Sequence, residues 1–170
     1  RPFRSEVKRY GEYSKSGEFV YDHPFLWGSK RTGPDLHRIG GKYNDNWHFN
    51  HMWDPQSTSA GSVMPGYKWM FANEPMNHDH IEKKMEVMVT LGVPYTKEEI
   101  ANARKHMDAQ SAQIEKNLSN DPDFVKSYEN SRKAAAARGE EFTPMKDREI
   151  VALIAYLQRL GTDIKVKKTE

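Results

Sequence analysis

Gly61-Ser62-Val63-Met64-Pro65-Gly66-Tyr67 sets a methionine in a loop held by two glycines and a proline. Such a loop fixes the backbone around Met64. Core methionines usually serve as flexible gap-fillers, whereas a thioether positioned by a stiff loop suits a soft ligand to a transition metal. Taken alone, packing is the commoner use of a methionine, so the reading depends on what accompanies the loop.

Some thirty residues upstream lies Arg31-Thr32-Gly33-Pro34-Asp35-Leu36, followed by Gly40-Gly41-Lys42-Tyr43. Proline has no N–H, so its turn leaves carbonyls free to accept a bond from an imidazole and orient it on iron. An ordinary helix start, with Thr32 as cap and Pro34 in the first turn, explains the same residues. Downstream, residues 146–161 place Ile150, Leu153, Ile154, Leu157 and Leu160 on one face, with Asp147 and Glu149 early and Arg159 late, matching the helix dipole. This is the strongest helix signal in the chain.

Between the loop and that helix the sequence is charged and helical. Ile81, Met85, Met88 and Val89 predict an amphipathic helix over 78–91, stopped by Gly92 and Pro94. Thr96 and Glu99 form a capping box from which a long helix is expected to run to about Leu118, its stripe made by Ile100, Ala103, Met107, Ile114 and Leu118. Asp121 as cap and Pro122 in the first turn open the next helix, which ends near Gly139. The two predict an antiparallel helical hairpin. Residues 1–72, rich in aromatics, glycine and proline, predict loops and short helices wrapped around a buried object. The expected organisation is 1–72, a charged helical insertion over 73–145, and a closing helix with a basic tail over 146–170.

Composition narrows the function. A chain of 170 residues fits one domain with a modest core, or a small domain with an appended element. With 26 basic and 24 acidic residues, and the basic ones clustered near Arg1–Arg9 and Lys165–Lys168, nothing favours nucleic acid. The absence of cysteine excludes disulfides, thiolate metal sites and cysteine nucleophiles from this chain. No apolar run approaches the roughly 18 residues of a membrane span. A start at Arg1-Pro2-Phe3-Arg4, with no leader pattern, reads as a cut in something longer.

The order Gly33-Pro34-Asp35-Leu36, Met64-Pro65, then Ala155-Tyr156-Leu157 in a closing helix resembles class I cytochrome c domains. Over residues 1–7, Gly11-Glu12-Tyr13-Ser14, residues 21–36 and Tyr156-Leu157-Gln158-Arg159-Leu160-Gly161, the chain resembles the FixO or CcoO family, the mono-haem subunit II of cbb3-type cytochrome c oxidases. The likeness is dense over 1 to about 70 and about 144 to 164, and weaker between. It implies a mainly α, cytochrome c-like domain with an inserted helical hairpin, in an electron-transfer subunit that itself does no bond chemistry. In that family a membrane anchor and a C-x-x-C-H haem-attachment motif precede the Arg-Pro-Phe-Arg run. Both are missing here, so haem c belongs to the parent protein and is expected to be absent or non-covalent in this chain.

By position the resemblance makes Met64 the axial iron ligand and Pro34, beside Gly33, the carbonyl that orients the proximal histidine. Leu36 belongs to the pocket, and Tyr43 and Trp47 lie near the propionates. The implied partners are the catalytic haem-copper subunit and a di-haem cytochrome c subunit, on the periplasmic side of a bacterial inner membrane, with contact to the membrane through the missing anchor. Without haem, walls built from Trp27, Leu36, Trp47, Met64 and Trp69 lose their packing partner, which predicts a cavity, a collapsed core or self-association.

Two rivals stand beside this reading. One is a haem-free helical interaction module. The other is a zinc or copper site at His48 and His51, whose i,i+3 spacing puts both imidazoles on one helix face, although no third ligand is evident and aromatic packing explains the pair better. His78-Asp79-His80 reads as a helix start, and His23 before Pro24 as part of an extended segment. No phosphate loop, nucleophile elbow or paired metal-helix motif points to an enzyme.

Overall fold

A computed structural model of the chain describes residues 8, 13–23 and 36–163. The N-terminal family-like run, Trp27, Gly33 and Pro34 lie outside the described residues. Within them the fold is mainly α-helical, with no strand. The described chain divides into two compact units, one made of 13–23, 36–42, 82–101 and 157–163, the other of 43–81 and 102–156.

The second unit begins with α1 (Asp45–Trp53), started by the Asn44 side chain, which accepts from the Trp47 N–H at 2.8 Å. Asp54 then caps the short α2 (Pro55–Thr58), with Pro55 in its first turn. Further along, α5 (Ala103–Leu118) is followed by α6 (Pro122–Arg138), whose carboxylate cap Asp121 accepts from the Asp123 and Phe124 amides. Gly139 ends α6 at φ +69°, the left-handed geometry that glycine adopts without Cβ strain. These boundaries match the sequence signals.

Phe71, Ile114, Leu118, Phe124, Met145, Ile150, Val151 and Ile154 form the core of this unit. Phe49 of α1 stands edge-on to Phe71 and Phe124, with centroids 4.8 and 5.2 Å away. Each large apolar side chain buried this way contributes about 1.5–3 kcal/mol. The closing helix α7 (Glu149–Arg159) supplies Ile150 and Ile154, fully buried as its periodicity predicted, and also Val151, which the predicted face did not include, while Leu153 of that face is only half-buried.

In the first unit, Phe19, Ile39, Val93, Leu157 and Leu160 are buried. Gly40 lies where a Cβ would sit 2.6 Å from the carbonyl oxygens of Gln158 and Leu160, so the turn rests directly on the end of α7. The Gly40 amide donates to Leu160 O and the Gly41 amide to Gln158 Oε1. Glu18 and Arg38 meet in a two-pronged ion pair at 2.5 and 2.8 Å. The unit also holds α4 (Lys97–Ala101) and residues 82–90 of α3 (Ile81–Thr90).

Two helix expectations need correction. The predicted 78–91 helix begins at Ile81, because Asn77 accepts from the Asp79 amide and His80 takes φ +59°, a turn that cannot continue as helix. The Thr96–Glu99 capping box forms in both directions, Thr96 N–H to Glu99 Oε2 at 2.7 Å and Glu99 N–H to Thr96 Oγ1 at 3.2 Å. The helix it opens does not run through to Leu118. It breaks at Asn102 (φ −100°, ψ 6°), and α5 restarts from there.

Candidate functional site

The Met64 loop is tied at both ends to the helices before it. Ser62 donates its amide to Ser59 O, its carbonyl accepts from the Gln56 side chain at 3.2 Å, and its hydroxyl accepts from the Met64 amide at 3.2 Å. Beyond the methionine, the Tyr67 amide donates to Met52 O at 2.8 Å. Gly66 packs so closely that a Cβ there would lie 2.7 Å from Trp53 O, and Gly61 takes φ +77°. The two glycines therefore serve different needs: one supplies a left-handed turn, the other a close backbone approach. Met64 is half-buried in this frame.

Beside the loop in sequence, Val63 is 88% and Trp69 64% exposed. Both are large apolar side chains left open to solvent on either side of Met64 in the sequence. In the other unit Leu36 is 51% exposed.

An aromatic column occupies α1. Trp47 stacks between Tyr43, centroids 3.9 Å apart, and His51, 4.5 Å apart. His51 Nδ1 lies 2.5 Å from Thr58 Oγ1, a hydrogen bond that holds the imidazole in the stack, and the same hydroxyl lies 3.3 Å from Pro55 O. His48 is buried at the edge of Trp47, and its Nε2 has no hydrogen-bond partner among the described residues. Burial holds the pKa of both histidines below the ordinary imidazole value, and for His48 the neighbouring His51 adds to burial while Asp45 opposes it. The described residues contain no group of three or more His, Asp or Glu side chains able to hold a metal ion. Aromatic stacking and the Thr58 bond engage His51, while His48 packs on Trp47 with its Nε2 unpartnered among the described residues.

The sequence reading expected short helices within 1–72 without placing α1, and so missed the carbonyls of Met52 and Trp53 on which the Met64 loop rests. Asn44 was the available signal. The buried Arg148 was missed too. Its guanidinium donates to Phe71 O, Thr143 O and Asn73 Oδ1, fixing the end of the 68–71 turn that follows the loop.

The described residues form a mainly helical fold with a pinned methionine loop and an apolar closing helix, consistent with a mainly α, cytochrome c-like class. The family model described as cytochrome c oxidase, mono-haem subunit/FixO, matches residues 1–164, and the chain belongs to that family. No curated protein matches it. Membership makes it an electron-transfer subunit of a cytochrome oxidase, a haem c family, although this chain has no cysteine with which to attach haem covalently. No helix among the described residues is long and apolar enough to cross a membrane.

Proposed function

We propose that Met64 is the axial iron ligand through which this subunit relays single electrons to the oxygen-reducing subunit of a cbb3-type oxidase. The observation that carries the reading is the family match over 1–164, taken with a methionine loop anchored on α1. When bound, haem c supplies a one-electron iron couple whose potential a thioether ligand raises.

The chain's residues then divide the work. The bonds to Ser62, Gln56 and Met52 hold the Met64 backbone still, which limits the rearrangement that accompanies a change of iron charge. Val63 and Trp69, exposed beside the loop in sequence, would shield a bound cofactor from water. By the family's pattern Tyr43 and Trp47 would serve the propionates, and Pro34, beside Gly33, would offer the carbonyl that orients a proximal histidine. That histidine and two thioether-forming cysteines come from a C-x-x-C-H segment ahead of Arg1, by the family's pattern. Electrons arrive from a di-haem cytochrome c subunit on the periplasmic side of the inner membrane.

Purification of the oxidase from membranes through a tag on this chain tests the proposal. Covalent haem on the tagged chain and co-eluting oxygen reduction by a cbb3-type catalytic subunit are expected. A tagged chain without haem, or free of any oxidase activity, would overturn it and favour a haem-free interaction module.

A further inference from the structure

Arg148 is 5% exposed, yet among the described residues no carboxylate bonds to its guanidinium. Four of its five N–H groups go to neutral oxygens: Nε and Nη2 to Thr143 O, Nη1 to Phe71 O, and Nη2 also to Asn73 Oδ1. Phe142 stacks on the cation at 5.0 Å. Burial pushes the Arg148 pKa down, as expected for a charge taken from water without a counter-charge.

Arg148 also lines a cavity of about 240 Å³, shared with Asn73, Ser131, Ala135, Phe142 and a second arginine, Arg138. Most of the other polar groups in this wall are already engaged. Asn73 uses its amide on Glu141 O and its oxygen on Thr143 and Arg148, and the Ser131 hydroxyl donates to Ser127 O. What remains for a ligand is the fifth N–H of Arg148, the second amide N–H of Asn73 and the guanidinium of Arg138. Arg138 bonds Glu140 at 2.8 Å, but both side chains are about half exposed, and such a pair is exchanged at little cost.

We propose that this cavity binds a phosphate-class dianion, with Arg148 as the buried counter-charge and Arg138 as the gate that turns from Glu140 to close on it. A dianion matches two guanidiniums, where a single carboxylate would merely replace Glu140. The source is either free phosphate or the headgroup of a phosphate-monoester lipid.

The test is titration of the whole chain with inorganic phosphate at fixed ionic strength, with chloride and glutamate as references, read by calorimetry and by the shift in melting temperature. Saturable binding of phosphate, absent with chloride and glutamate, is expected. Arg138→Gln is an exposed change that leaves the core intact, and it should weaken phosphate binding by about fivefold or more. Arg148→Lys, which keeps the charge but loses the planar fork, should weaken it as well. Vesicles of phosphatidylcholine with and without phosphatidic acid identify the source: Arg138-dependent binding to the acidic vesicles assigns the lipid, and its absence alongside phosphate binding assigns the free ion. Phosphate behaving like chloride, glutamate binding equally well, or Arg138→Gln binding unchanged would each overturn the proposal.

Discussion

Replacing Gly66 with alanine puts a methyl carbon 2.7 Å from the carbonyl oxygen of Trp53, about 0.7 Å short of ordinary van der Waals contact. The obstacle is backbone at the end of α1, so no flexible side chain can swing away. Gly66 does not occupy the left-handed region, and without the clash alanine there would stabilise the fold by about 0.4–1 kcal/mol through the unfolded state. With it, overpacking costs about 1–3 kcal/mol. Dividing by a urea dependence of about 1–3 kcal/mol per molar gives a midpoint lower by about 1 M with an unchanged slope.

Gly61 provides the control. An added Cβ there meets nothing within 4 Å, but φ +77° costs an L-residue about 1–2 kcal/mol. Asparagine tolerates that conformation, so Gly61→Asn should recover part of the loss of Gly61→Ala, whereas Gly66→Asn should recover none. Urea unfolding followed by far-ultraviolet circular dichroism checks all four variants. A Gly66→Ala protein as stable as the parent, or more so, would refute the account of how the Met64 loop is seated.

Two further predictions concern pH. The Arg38 guanidinium hydrogen-bonded to Glu18 holds that carboxyl below its ordinary value of 4.5 despite the opposing effect of burial, so the pair's stabilisation is present above that value and lost as pH falls through the lower folded value. Arg38→Met should therefore lower the unfolding free energy from urea titration at pH 7 by about 1 kcal/mol, and the gap to the parent should shrink toward pH 3. A gap independent of pH would contradict the ion pair. His48 is held below 6.5 mainly by burial, so its neutral form stabilises the fold above pH 6.5, and that contribution is lost as pH falls through the folded value. His48→Phe keeps an aromatic edge on Trp47 and should flatten the fall in stability between pH 7.5 and 5. An acid limb identical to the parent's would sink the assignment.

Local signals were readable where a helix carries its own punctuation. Asp121-Pro122 and Gly139 bracket α6, and Thr96 with Glu99 opens α4, because caps and glycine turns act within a few residues. The apolar face of α7 was equally plain. By contrast, α1 (Asn-Trp-His-Phe-Asn-His-Met-Trp after Asp45) mixes aromatic and polar residues with little stripe, and its stability comes from Phe49 packing on Phe71 and Phe124. The break at Asn102 reflects a side chain that competes with the helical backbone, which periodicity does not register. Met64 and its glycines stood out in the sequence. Why Gly66 must be glycine did not, since the reason is a carbonyl of α1 thirteen residues away. The partners of Arg148 lie as far as 77 residues upstream, beyond any local pattern.

The central claim is that Met64 binds the haem iron, and the most direct measurement is the visible spectrum and redox potential of the protein expressed with a C-x-x-C-H segment ahead of Arg1, compared with its Met64→Ala variant. A sharp, low-spin c-type spectrum is predicted for the parent, with loss of low-spin character and a lower potential in Met64→Ala. A Met64→Ala protein with the parent's spectrum and potential would show that the iron takes its ligand elsewhere.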